Sequence, residues 1–205
     1  MNAGESGREQ ELSHSKMRKS KAMKPGKSRG KGLLVFVAIV IIALAVVGYV
    51  MSQPARRAGS IGDNAPDFTL RVVDANGLSD QSVTLSSLRG KVVVLEFMVS
   101  WCHVCQQMAP SVEYLNYEYN GQDVVFISVA GTQNGATAES TADFIKQYQS
   151  TWTYLLDSDN SVFSTYGVEA TPTFFILDRS GVILSRMQGT IATDAMSEAI
   201  ARALS

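Results

Sequence analysis

Two cysteines, Cys102 and Cys105, stand three positions apart in the run Trp101-Cys102-His103-Val104-Cys105, and the 205-residue chain holds no others. The run follows an apolar stretch with strand character and opens a stretch with helix character. At a helix start the free N–H groups and the macrodipole favour an anion, which makes Cys102 the attacking thiolate. Cys105 falls on the same helical face one turn deeper. There it can close a disulfide with Cys102 or resolve a mixed disulfide between Cys102 and a substrate. His103 has two readings: an imidazolium that steadies the Cys102 thiolate, or a solvated side chain at the helix start. Trp101 offers an apolar docking surface beside Cys102, and Val104 lies between the thiols where a substrate would touch.

Other uses of two cysteines fit less well. A multi-disulfide scaffold and a four-thiolate zinc site both need more of them. A purely structural disulfide across so short a loop stabilises little. A c-type haem site needs histidine directly after the second cysteine, where Gln106 stands. A thiolate metal site needs further ligands, and the histidines are only His14 and His103. No metal or cofactor is expected.

Two further residues belong with the thiols. Glu96 lies inside the apolar run KVVVLEFMV (Lys91–Val99), six residues before Cys102. A buried, unpaired carboxylate there costs several kcal/mol if ionised, so its pKa is expected to be raised. The alternative is a structural glutamate that faces an edge or is hydrogen-bonded. Thr171-Pro172 precedes the strand-like run Thr173–Leu177. X-Pro bonds are the ones that adopt cis readily, although an ordinary trans proline would also open a strand.

The elements that must position these residues alternate between strand and helix. Asp67–Val73 and Ser82–Thr84 are expected strands around a turn containing Asn76-Gly77. Lys91–Val99 and Val124–Ala130 read as strands buried on both faces. Helices are expected over Cys102–Asn120, about Ala138–Gln149, around Asn160–Tyr166 and over Thr193–Leu204. A short strand near Thr153–Leu156 and a hairpin, Thr173–Leu177 with Val182–Met187, complete the set. The aromatic residues Tyr114, Tyr117 and Tyr119 read as packing. The pattern implies one α/β domain around a mixed central sheet flanked by helices, with an N-terminal hairpin extension.

Net charge −1 conceals two unlike pieces. Residues 1–32 hold nine Lys/Arg against three Asp/Glu, and residues 33–205 hold nine against sixteen. Between them Leu33–Met51 runs nineteen residues without a charge. As a helix this stretch is about 28 Å long, the thickness of a bilayer's hydrocarbon core. A cleaved signal peptide would have a shorter apolar stretch and a small-x-small site, and SQPARRAGS offers none. The expected plan is a basic, disordered cytoplasmic tail (1–31), a transmembrane helix (32–51), a linker (52–62) and a domain outside the cytoplasm (63–205). The excess of Lys and Arg before the apolar stretch sets that orientation, in a compartment that permits disulfides. The basic tail reads as a topology signal resting on anionic lipid, and no nucleic-acid partner is expected.

Together VVVLEFMVSWCHVC, QQMAP, ATPTFFILDRSG and the opening segment GDNAPDFTL…VTLSSLRGK resemble the thioredoxin superfamily. Within it they resemble the membrane-anchored TlpA/ResA-like branch, over roughly residues 61–204. That resemblance implies a thioredoxin-like fold and a redox-active Cys102–Cys105 disulfide. It also implies a cis Pro172 lying against the C-x-x-C, and a Thr171 backbone that hydrogen-bonds the substrate. It makes Glu96 the buried acid that moves a proton to and from Cys105. The implied activity is thiol–disulfide exchange with protein substrates, recycled by a membrane electron-donor protein. Anchored members commonly reduce apo-cytochrome c or service copper-site thiols. Two departures stand out: no lysine matches thioredoxin's on Val124–Ala130, and Met108 replaces the acid often found three positions after the second cysteine. A peroxiredoxin-type peroxidase shares the opening segment, but its P-x-x-x-T-x-x-C frame is missing before Cys102. A copper-binding oxidase-assembly factor would use C-x-x-x-C and a distant histidine, and the exported part has only His103.

Overall fold

A computed structural model of the chain describes residues 29–52 and 59–205. The expected tail, residues 1–28 of it, and most of the linker lie outside the described residues. Among the described residues, the first unit holds one helix, α1 (Arg29–Ser52), 24 residues long. Its side chains are described for residues 34–49, all of them exposed within the unit. Among the described residues no helix is long and apolar enough to cross a membrane.

In the second unit the sequence builds a seven-stranded sheet. Its strands are β1 (Thr69–Asp74), β2 (Gly77–Thr84), β3 (Val92–Met98), β4 (Val124–Gly131), β5 (Thr153–Asp157), β6 (Thr173–Leu177) and β7 (Ile183–Gln188), in the order β2-β1-β5-β4-β3-β6-β7. β3, β4 and β5 run parallel, whereas β1, β2, β6 and β7 pair antiparallel with their neighbours. The helices are α2 (His103–Glu118), α3 (Ala138–Tyr148), α4 (Ser161–Thr165) and α5 (Thr193–Leu204).

β3 lies inside the sheet, between β4 and β6, where all seven of its residues can be buried, and all seven are. Alternation divides them between two cores. Val92, Val94 and Met98 join the layer of α2, α3 and α5, with Val112, Leu115, Phe144 and Ile200. Val93, Leu95 and Phe97 join the opposite layer, with Leu85, Phe163, Tyr166 and Phe175. Glu96 is in phase with Val94 and Met98, so the alternation aims a carboxyl at the α2 side. Pairing register then fixes its lateral neighbours: Ser128 on β4 and Phe174 on β6, with Tyr154 on β5 beyond Ser128.

The first hairpin differs from expectation. β2 starts at Gly77 rather than Ser82, directly after a two-residue turn of Ala75 and Asn76. Gly77 has φ +115°, a conformation that favours glycine. At the sheet's edge the strand pairs with β1 through Gly77–Leu78 and Ser82–Thr84, on either side of an irregularity at the polar residues Ser79–Gln81, so polarity hid its first half. The packing reading of the tyrosines is corrected too. Tyr119 is buried, with its hydroxyl 2.8 Å from Ser197 Oγ, but Tyr114 and Tyr117 are exposed on the outer face of α2.

Candidate active site

The thiols are placed by the end of β3. After Met98 the chain turns through Val99-Ser100-Trp101, and the Cys102 N–H donates to Val99 O at 3.0 Å. Gln106 Nε2 donates to Ser100 O at 3.1 Å, which ties the first turn of α2 back to this bend. Cys102 is the N-cap of α2 rather than its first helical residue, with extended backbone (φ −70°, ψ 112°). Its Sγ takes the capping role usually filled by a side-chain oxygen, accepting the Cys105 N–H at 3.2 Å. The same sulfur donates to Thr171 O at 3.4 Å.

That second contact depends on the proline. Thr171-Pro172 is cis, and it brings a segment 69 residues away in sequence against Cys102. The turn is held from both sides: Thr173 Oγ1 donates to Ala170 O at 2.7 Å, and the Gly189 N–H donates to Pro172 O at 2.9 Å. Both cysteines are free thiols. Cys102 is 6% exposed and Cys105 1%, so the first sulfur reaches the surface and the second lies beneath it.

Glu96 lies below the thiols, 5% exposed, and Ser128 Oγ donates to its Oε2 at 2.5 Å. Burial pushes its carboxyl up to about 7, while the Ser128 hydrogen bond acts in the opposite direction. Cys105 feels the same environment. Burial drives its thiol pKa well up, and the Glu96 charge adds to that. Two negative charges are therefore disfavoured together, and a proton leaving Cys105 has Glu96 as a neighbouring acceptor.

Trp101 is 51% exposed, with its indole N–H donating to Gln133 O at 3.0 Å. It forms one wall of an open groove of about 310 Å³, lined also by Val99, Gln133, Val168, Ala170 and Thr171. His103 is exposed, its Nε2 3.1 Å from Gln107 Nε2. Val104 is half-buried and packs against the α2-side core, so much of its side chain faces inward. The fold thus brings together Cys102, Cys105, Glu96, Thr171 and Pro172, with Trp101 and His103 at the rim. Sequence reasoning missed Ser128 and Gln133. A serine within VVFISVA is the one visible hint, and only the β3–β4 register shows that it faces Glu96. Among the described residues no cluster of three or more His, Cys, Asp or Glu side chains could hold a metal ion.

The pKa of Glu96 makes a stability prediction. An unfolded Glu loses its proton near 4.5, whereas the folded one keeps it until about 7. Between those values the folded state holds the extra proton, so this group's contribution to stability falls as pH rises and stays low above 7. The loss amounts to on the order of 3 kcal/mol. Urea unfolding of the 59–205 unit at pH 5 and pH 8 should show that drop in the wild type and little of it in Glu96→Gln. Equal drops in both would contradict the assignment.

A sequence profile of the AhpC/TSA family matches residues 61–186. The thiol-disulfide oxidoreductase ResA of Bacillus thuringiensis subsp. konkukian is 28% identical over 169 residues, covering 81% of this chain and 93% of the relative. ResA of Bacillus subtilis is 28% identical over 164 residues, covering 78% and 86%. Among solved structures, one from Chlorobium tepidum described as a thiol:disulfide interchange protein DsbE superposes with a TM-score of 0.62 at 30% identity, covering 71% of this chain and 99% of that one. The MTB protein dsbF, solved in mixed oxidised and reduced forms, gives 0.57 at 27%, covering 66% and 94%. Fold and site define a thioredoxin-like thiol–disulfide oxidoreductase. The chain belongs to the AhpC/TSA family, and within the thioredoxin superfamily it is TlpA/ResA-like.

Proposed function

We propose that the protein is a membrane-anchored, extracytoplasmic reductase of protein disulfides that works through Cys102 and Cys105. The observation that carries this reading is the position of Cys102 Sγ, between the Cys105 N–H and the Thr171 carbonyl beside the groove. The Cys102 thiolate attacks one sulfur of a substrate disulfide; that bond breaks, and the departing substrate thiolate takes a proton. Cys105 then gives its proton to Glu96 and attacks Cys102 Sγ. The mixed disulfide breaks, the second substrate thiolate leaves and is protonated, and a Cys102–Cys105 disulfide remains. Two electrons have passed to the substrate, and a membrane dithiol donor returns them by the reverse steps. Trp101, His103, Val104 and the Thr171 backbone are the proposed contacts for the substrate chain. The substrate class is proteins whose cysteines must be reduced to accept haem or copper.

Residues 32–51 are the proposed anchor, with 1–31 in the cytoplasm, 52–62 as tether and 63–205 outside. The uncharged run Leu33–Met51 and the basic residues before it support this orientation. A peroxidase reading is less favoured, because Val94 to Ser100 supply neither the proline nor the threonine of the peroxidatic frame. Hydrogen peroxide would then be consumed only at background rate. A copper-binding oxidase-assembly factor is less favoured on the C-x-x-C spacing and the single exported histidine.

Location and direction are tested together by treating intact cells with a membrane-impermeant maleimide. A reductase outside the cytoplasm should be labelled at Cys102 without prior reductant. Labelling only after added reductant would mean that the resting pair is a disulfide, and the direction would be reversed. No labelling until the cells are lysed would overturn the location.

A further inference from the structure

No cation among the described residues balances the charge of Glu96. Among the described residues, the groups that face it are Ser128 from β4, Tyr154 from β5, Phe174 from β6 and Cys105 from α2. The side chains of α3 and α5 in this layer, Phe144, Ile145, Met196 and Ile200, are apolar. Glu113 of α2 acts on Tyr154 rather than on Glu96. The Tyr154 hydroxyl donates away from the carboxyl, to Ser150 Oγ at 3.0 Å, and its other hydrogen-bonding interaction is with Ser128 rather than with the Glu96 oxygens. Ser128 is what remains, and it does not act alone.

Trp152 Nε1 donates to Ser128 Oγ at 2.7 Å, and Ser128 Oγ donates to Glu96 Oε2. All three side chains are buried, at 8%, 0% and 5% exposure. An indole N–H can only donate, whereas a hydroxyl has one proton and two lone pairs. The indole proton occupies a lone pair of Ser128 and leaves the hydroxyl proton for Glu96. The polarity of the chain is therefore fixed, running from tryptophan through serine to an acceptor. An ionised carboxylate is the better acceptor, and a charge-assisted hydrogen bond is about twice as strong as a neutral one. No proton needs to move along this chain; it orients a dipole.

We propose that Ser128, oriented by Trp152, is the positioning residue that sets when Glu96 takes up and releases the Cys105 proton, doing with two neutral donors what a buried cation would otherwise do. The proposal rests on the reading of Glu96 as the proton carrier. The hydroxyl keeps one Glu96 oxygen engaged and leaves the other for the exchange with Cys105. Without the hydroxyl the carboxyl holds its proton to higher pH and becomes a poorer base at neutral pH. The indole of Trp152 would also be left as a buried, unsatisfied donor.

The test uses the full-length protein in detergent with Ser128→Ala, Ser128→Thr, Trp152→Phe and Glu96→Gln. Carboxyl ionisation is followed by infrared difference titration, with Glu96→Gln identifying the band. In parallel, glutathione is loaded on Cys102 as a mixed disulfide, and its release by Cys105 is timed across pH. In Ser128→Ala the midpoint of the Glu96 band should rise by about one pH unit. The pH profile of glutathione release should move with it, giving roughly fivefold slower release at pH 7. Trp152→Phe should move both in the same direction by less, and Ser128→Thr, which keeps the hydroxyl, should lie near wild type. If Ser128→Ala does not fold, Trp152→Phe carries the test by itself. An unchanged carboxyl midpoint overturns the positioning proposal, whatever happens to the rates. Release that is indifferent to Glu96→Gln overturns the proton-carrier reading, whatever happens to the midpoint.

Discussion

Cys102→Ser is expected to reduce turnover of a protein disulfide to below about one-thousandth of wild type, because removing a nucleophile removes the step that every later step needs. A serine hydroxyl stays protonated at neutral pH and does not exchange with disulfides. The fold should tolerate the change. Serine is a standard N-cap, and its Oγ can accept the Cys105 N–H that Cys102 Sγ accepts now. Thermal unfolding close to wild type, with activity lost, would separate chemistry from structure. Full reductase activity in this variant would end the proposed function, since the groove and the cis proline would then be serving some other group.

The second large effect belongs to Cys105→Ala. Turnover should fall by at least about a hundredfold, since the resolving step is gone and an external thiol must do its work. The first step should survive. The atom that caps Cys102 Sγ is the backbone nitrogen of Cys105, which alanine retains. A covalent substrate adduct should therefore accumulate to near one per protein and dissolve on adding dithiothreitol. The opposite asymmetry, with Cys105→Ala active and free of adduct, would mean that the buried thiol does not take part. At 1% exposure the truncation should cost only about 1–2 kcal/mol, too little to unfold a domain with two packed cores.

Much of this arrangement could be read before any coordinates, for a physical reason. β3 and β6 are buried on both faces, so their sequences are unbroken apolar runs; Thr173–Leu177 is the observed strand, and Lys91–Val99 is within a residue at each end. α5 shows the helical period and ends as expected. The C-x-x-C is local and its chemistry follows from its spacing. β2 escaped because a strand at the sheet's edge needs no hydrophobic pattern to pair. Ser128 escaped for a different reason: its meaning lies in the register of two strands 32 residues apart, a non-local property. Tyr114 and Tyr117 misled because aromatic composition on a helix suggests burial, while the face they occupy is set by α2's other contacts.

The departure noted on Val124–Ala130 also gains a physical meaning. With no lysine on β4, the carboxyl beneath the thiols would be a bare buried charge were it not for the Ser128 hydroxyl. Burial still raises the carboxyl to about 7, and the Ser128 hydrogen bond works against that rise.

The central claim, that Cys102 alone meets the substrate and Cys105 releases it, is tested most directly by mapping the trapped adduct. Full-length Cys105→Ala is incubated with a disulfide-bonded protein, alkylated at low pH, digested, and the linked peptides are identified by mass. The expected result is one substrate cysteine joined to Cys102. Cys102 recovered fully alkylated and free of substrate, while the substrate is nevertheless reduced, would contradict it.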